Sequence, residues 1–201
     1  MKYRTLFILL FAFSYATAQE DYTISINDTS LKISLDKKYE VVVNGKKLVF
    51  TVTSNDTLVY NDNIVSFRYP KGFNVSTSKI DEGIEQVMII SAEGSGVLLQ
   101  KYSTLNPSML NEMMLSEVTK ESINYGYVEK REDYQKTLKT GQKIKVNKSV
   151  LTYKDEINIY EVATFGKKDE GILIMTMRMD NDKNSAGQKL IELMWATLAL
   201  K

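Results

Sequence analysis

The sequence predicts an α+β layer fold, in which antiparallel strands are covered by two amphipathic helices and preceded by an N-terminal β-ribbon. Three observations carry this. From Tyr22 to Val52, and again over Ile64–Tyr69, apolar and polar side chains alternate at period two, as half-buried strands do. The segments between these runs are short and hold Gly, Asn, Asp and Ser, which suits antiparallel neighbours rather than crossovers. Two stretches carry apolar residues at helical spacing, and a helix apolar along one stripe must bury it against another layer.

Residues 1–18 read as an address. Lys2 and Arg4 form a basic n-region, Thr5 to Ala16 an apolar h-region, and Ala16-Thr17-Ala18 a small-x-small cleavage site. The apolar run is too short to span ~30 Å of hydrocarbon. The expectation is a cleaved signal peptide, with an exported chain from near Gln19 and no transmembrane segment after cleavage. That chain has 183 residues with 24 basic and 25 acidic side chains, a net charge of −1 against +1 for the whole sequence.

The ribbon is expected over residues 19–57. Tyr22, Ile24 and Ile26, then Leu31, Ile33 and Leu35, alternate with polar residues. Tyr39–Val43 and Lys47–Thr53 flank Asn44-Gly45, a pair that accepts the positive φ values of a type I′ turn. Ser54-Asn55-Asp56 ends the run.

The α+β domain is expected over residues 58–201. Leu58–Tyr60 and Ile64–Tyr69 read as strands, and Pro70-Lys71-Gly72 as a turn after which Phe73 and Val75 resume. Glu85–Ala92 and Val97–Tyr102 make a hairpin across Glu93-Gly94-Ser95-Gly96. Asn106 caps a helix whose first residue is Pro107, where the missing N–H costs nothing. Leu110, Met113, Met114, Val118 and Tyr125 form its stripe, and Gly126 its stop. Tyr127–Leu138, Lys143–Tyr153, Ile157–Phe165 and Gly171–Met179 read as further strands. The last helix is expected from Ser185 to Leu200. It places Ala186, Leu190, Leu193, Met194, Thr197 and Leu198 on one face, with Gln188, Lys189 and Glu192 opposite.

Val65-Ser66-Phe67-Arg68-Tyr69-Pro70-Lys71-Gly72-Phe73 has the form of an opening strand followed by a "YP-x-G-aromatic" turn. With the hairpin, helix, meander and C-terminal helix behind it, the chain from residue 58 onward resembles the PsbP-like superfamily (the PsbP, DcrB and Ran-binding Mog-type fold). The resemblance implies an antiparallel sheet sandwiched by helices. Because the known members are mostly binding or assembly factors, it also implies a role of that kind, though fold alone does not transfer function. The ribbon lies outside the pattern. The His residues associated with metal sites in the plant subunit have no counterpart here, so that role is not implied.

Composition narrows the chemistry. The chain has no His and no Cys, which removes His-based triads, thiol nucleophiles, zinc sites, haem axial His and disulfides together. Its near-neutral balance does not fit an electrostatic nucleic-acid binder. A domain of this size buries roughly 70% of its unfolded surface and needs no covalent staple.

Several constellations have both a chemical and a plainer reading. Met175, Met177 and Met179 share one strand face, and soft thioethers suit Cu(I), with Met113 and Met114 as further sulfurs if their helix packs there. Methionine filling a strand–helix core is the preferred reading. Asp180-Asn181-Asp182-Lys183-Asn184 opens like a calcium loop, but Ser185 replaces the Gly and Ile191 the bidentate Glu, so a helix-capping turn is preferred. Lys136, Lys139, Lys143, Lys145 and Lys148 cluster about Thr140-Gly141, either as a contact for an anionic partner or as a solvated strand. Glu82/Glu85 and Asp169/Glu170 are carboxylate pairs outside any catalytic motif, and Gly94-Ser95-Gly96 lacks the spacing of a nucleophile elbow. Asn27, Asn55, Asn74 and Asn147 head Asn-x-Ser/Thr acceptor sequences.

The functional expectation is a non-enzymatic exported protein of the bacterial envelope, periplasmic or secreted, without cofactor or catalytic residues. It would act through protein–protein contacts with another envelope protein. Its candidate contact surfaces are Lys139, Lys143 and Lys145, and the hairpin turn Asn44 and Gly45. The alternative is a small-ligand carrier or enzyme with a pocket between helices and sheet, lined by Tyr125, Trp195 or the methionines.

Overall fold

A computed structural model of the chain describes residues 22–27, 29–179, 181–182 and 184–201. The leader expected at 1–18 lies outside the described residues, as do Asp180 and Lys183 of the calcium-like turn. Contacts divide the chain into a unit ending at Ser54 and a second unit, Asn55–Lys201. No described helix is long and apolar enough to cross a membrane.

The first unit contains two antiparallel hairpins. β1 (Tyr22–Ile26) pairs with β2 (Thr29–Ile33), and β3 (Lys38–Val43) with β4 (Lys46–Thr51). Asn44 and Gly45 take φ of 51° and 74°, the conformation their residue types predict for a type I′ turn. Across the second hairpin Tyr39 stacks on Phe50 at 5.9 Å between ring centroids, and the Asp36 amide donates to the Val52 carbonyl at 2.8 Å. Such cross-strand aromatic pairs hold register.

The second unit is mixed α and β, a large antiparallel sheet with two helices. β5 (Thr57–Asn61) and β6 (Val65–Pro70) pair with each other, and β6 also takes the short β15 (Ala199–Leu200). The larger sheet comprises β7 (Ser76–Asp81), β8 (Ile84–Ile90), β9 (Gly96–Tyr102), β10 (Val128–Arg131), β11 (Tyr134–Thr137), β12 (Lys143–Tyr153), β13 (Glu156–Lys167) and β14 (Glu170–Arg178). Its order is β10-β12-β13-β14-β9-β8-β7, with β11 also on β12. α1 (Asn111–Tyr125) falls between β9 and β10 in the chain, and α2 (Ala186–Thr197) follows β14.

The central strand β14 is buried along Gly171–Thr176, because each sheet face has its own apolar cluster. Ile172 and Ile174 pack with Leu190, Met194, Trp195 and Leu198 from the α2 segment and with Val65 and Phe67 of β6. Leu173 and Met175 pack on the other side with Leu115 of α1, Leu151 and Val162. Each such fully buried side chain contributes about 1.5–3 kcal/mol. Gly96 sits where β8 and β9 approach closely, since a Cβ there would lie 2.2 Å from the Ile89 carbonyl oxygen.

Five local expectations are corrected. The helix expected from Pro107 begins as a 3-10 turn (Pro107–Met109), with α1 starting at Asn111. The buried positions of α1 are Leu115 and Thr119, while Met113 and Tyr125 face solvent. The apolar residues of that helix span more than one stripe, and only packing selects among them. The single strand expected at 127–138 is β10 and β11, because the Asp133 carboxylate enters the ladder and accepts the Lys148 amide N–H at 3.0 Å. The last helix stops at Thr197, and the chain then extends so that Ala199 and Leu200 pair with Ser66 and Val65. β7 was not expected, because all six of its side chains are exposed and no apolar period marks it.

Candidate functional site

The expected partner surfaces belong to different units of the chain. The Asn44-Gly45 turn is exposed at the tip of β3 and β4, where Val42 is 66% and Val49 49% exposed. Glu40 pairs with Val49, and Val42 with Lys47, so these four side chains share one ribbon face, with Lys47 salt-bridged to Glu40 at 2.7 Å. Among the described residues each hairpin is a two-stranded sheet, which leaves outer strand edges without ladder partners.

The lysine cluster is divided by the sheet. Lys139 is exposed in the turn before β12, and Lys143 and Lys145 are exposed while Ile144 and Val146 are buried, as the alternation requires. Lys148 has the opposite parity and reaches Glu132 at 2.9 Å. Lys136 lies over the Trp195 ring at 5.1 Å from its centroid. The five residues therefore do not make one basic patch.

Met175, Met177 and Met179 do project together. Met175 belongs to the apolar cluster beneath α1, with Met114, Met177 and Met179 packed against it, and the Tyr160 hydroxyl approaches Met179 Sδ at 3.6 Å. Met113 is 60% exposed and does not join them, so the five sulfurs do not converge. Thioethers surrounded by Leu, Val and Tyr make the contacts expected of core filling. Tyr125 is 71% exposed, its ring tilted against Tyr127 and edge-on to Tyr153 at the surface. Asn147 is buried and bonded through its amide to Glu112 and Asp133, at 2.9 and 3.0 Å, so its sequon is closed to a glycan in the folded chain.

One cluster was not anticipated. Lys101 on β9 has a side chain only 9% exposed, and its ammonium meets Asp62 Oδ2 and Glu85 Oε2 at 3.0 Å each and the Tyr60 hydroxyl at 3.4 Å. Asp62 lies between β5 and β6, and Glu85 is directly opposite Lys101 on β8, so the cluster ties β5–β6 to the large sheet. Burial by itself would raise the Asp62 pKa. The amide N–H groups of Val65 and Ile64, the Tyr60 hydroxyl and Lys101 outweigh it and bring the pKa down to about 2. Burial likewise opposes the charge on Lys101, but Glu85 and Asp62 raise its pKa above the ordinary lysine value. An ammonium whose three donors are engaged is neither base nor nucleophile. A cleft of about 360 Å³ opens beside it, bordered by Ile64, Lys79, Ile84 and Tyr102. The available sequence signal is a lone charge in the largely apolar run Val97–Tyr102.

A second unanticipated group centres on Glu161 of β13. Its carboxylate accepts from Trp195 Nε1 at 3.0 Å, Tyr134 Oη at 2.9 Å and Thr176 Oγ1 at 3.1 Å. Burial first, and then the neighbouring Glu161 charge, push the Tyr134 phenol above its ordinary pKa, which keeps it a donor. These contacts unite β11, β13, β14 and α2, elements that sequence spacing does not bring together.

No family model matches the chain, and no curated protein matches it. Among solved structures it is similar to cyanobacterial PsbP (CyanoP) from Synechocystis sp. PCC 6803, with 13% identity over 73% of this chain and 93% of that one, and a TM-score of 0.46. It is also similar to a crystallised protein from Bacteroides thetaiotaomicron VPI-5482, with 11% identity over 68% of this chain and 45% of that one, and a TM-score of 0.36. At these identities the likeness concerns fold and says nothing of what this chain binds.

Proposed function

We propose that this chain is an exported, non-enzymatic binding or assembly protein of the bacterial cell envelope that works through protein–protein contacts. The observation that carries the reading is the β3–β4 hairpin. It displays Val42 and Val49 on an exposed face beside strand edges that no described strand pairs. A two-stranded ribbon is marginal alone in water, and its open edge accepts an added strand. The occupant is an extended apolar segment of another envelope protein, whose backbone continues the ladder and whose side chains cover the two valines. Export rests on Lys2, Arg4 and the apolar run ending at Ala16-Thr17-Ala18. The lack of His and Cys supports a non-catalytic role.

The test is co-purification from an envelope extract with the wild-type chain and with a Val42→Asp/Val49→Asp variant, each checked for folding by circular dichroism. The expected result is one stoichiometric envelope protein retained by the wild type and lost from the variant. A wild-type chain that elutes alone as a monomer, or a partner retained equally by both, would overturn the reading.

A further inference from the structure

On the α2 side of the large sheet, three charged residues lie next to one another without pairing among themselves. Lys148 is directly opposite Glu161 across β12 and β13, and Glu161 is opposite Thr176, two residues before Arg178 on β14. Alternation puts Lys148, Glu161 and Arg178 on one face. Glu161 nevertheless turns to Trp195, Tyr134 and Thr176, and Lys148 turns to Glu132. Arg178 is left half-buried. Among the described residues its side chain makes one hydrogen bond, a long 3.5 Å contact from Nη1 to Gln188 Oε1, and its Nε is buried with no acceptor. Among the described residues it makes no salt bridge. A cavity of about 170 Å³ lies between these groups, bordered by Lys148, Glu161, Arg178, Gln188 and Ile191. A guanidinium whose Nε is shut off from water without an acceptor carries a cost, and its planar fork matches a carboxylate.

A second cavity of about 300 Å³ also borders Glu161, Gln188 and Ile191, and its wall includes Tyr134, Trp195 and Ala196. Lys136 covers part of the Trp195 ring, and Glu192, bonded by Gln188 at 2.6 Å, stands at the rim. Trp195, 6% exposed, Ile191 and Ala196 supply the apolar part of this larger space, and the charge of Glu192 at its rim opposes a second anionic group there. We propose that the two cavities form a binding site for a small aromatic monocarboxylate, its carboxylate on the Arg178 guanidinium and its ring beside Trp195. This site is independent of the β3–β4 hairpin and would give the chain a ligand as well as a protein partner.

Trp195 is the chain's single tryptophan, so its emission reports on the site. Phenylacetate titrated into the wild-type protein over the millimolar range is expected to change that emission saturably, while the neutral analogue benzyl alcohol does not. Arg178→Gln is expected to weaken phenylacetate about ten-fold, the scale of a lost charge-assisted pair. Should that variant fold poorly, the wild-type NMR signal of the Arg178 Nε–H provides the second measurement. It is expected to move on phenylacetate addition while that of Arg68 stays in place. No saturable emission change, equal binding of benzyl alcohol, unchanged affinity in a folded Arg178→Gln protein, or an unmoved Arg178 signal would each overturn the proposal.

Discussion

Replacing Lys101 by Met keeps the length of a side chain that is 9% exposed while removing its charge. Asp62, 18% exposed, then loses its cation but keeps the amide N–H groups of Ile64 and Val65 and the Tyr60 hydroxyl. Glu85 is about half exposed and recovers water. Breaking a buried pair by removing one member costs about 3–5 kcal/mol. With Asp62 still held by three donors and Glu85 resolvated, the expected loss for Lys101→Met is about 2–4 kcal/mol near neutral pH.

The acid response has a definite sign. The Asp62 pKa is depressed from 3.8 to about 2 on folding, so its contribution, about 2 kcal/mol, is complete above the unfolded value and is lost as the pH falls toward 2. In Lys101→Met the folded pKa moves back up, so the acid decline weakens and less of the neutral-pH stability depends on Asp62 ionisation. Urea unfolding followed by Trp195 emission, near neutral pH and at about pH 3, measures both effects. The cycle with Asp62→Asn adds a control, because the double variant strands no buried charge and should cost less than the two single changes together. A Lys101→Met protein within about 0.5 kcal/mol of wild type, or an additive cycle, would refute the view that the cluster holds β5–β6 to the sheet.

Three further outcomes follow from the packing. Gly96→Ala places a Cβ 2.2 Å from the Ile89 oxygen, and because the obstacle is backbone the loss should reach about 2–3 kcal/mol in urea unfolding. Asn147→Leu strips donors from Glu112 and Asp133 and an acceptor from Asn111, and is expected to cost about 2–4 kcal/mol by the same measurement. Under mild peroxide, peptide mapping should show Met109 and Met113, 91% and 60% exposed, oxidised before the buried Met175 and Met194.

Much of the local structure is legible along the chain because its signals are local. Asn44-Gly45 demands positive φ, Gly126 at φ 116° ends α1, and the Ser185 hydroxyl accepts the Gln188 amide to start α2. Period two likewise marks β12 and β13 within a residue or two. Period fails where a strand buries both faces or neither. β14 is a continuous buried run, and the wholly exposed β7 carries no pattern. Helical spacing also leaves the packed stripe of α1 undecided, since Met113 and Tyr125 can face water at little cost while Leu115 is the residue covered.

The candidate sites show the same division. Alternation is enough to put Met175, Met177 and Met179 on one face and Lys143 and Lys145 on another, because adjacent residues of a strand point to opposite sides. It does not say what lies across from them. Asp62 and Lys101 are 39 residues apart and meet only because β6 and the large sheet share a core. Glu161 is bonded by residues of β11, β14 and α2, and among the described residues Arg178 makes no salt bridge because Glu161 turned elsewhere. Residue order sets torsional preference and the side from which each group projects, which are properties of neighbours in the chain. Which charges pair, which stay stranded and where space remains depend on distances between segments, and those exist only once the layers have packed.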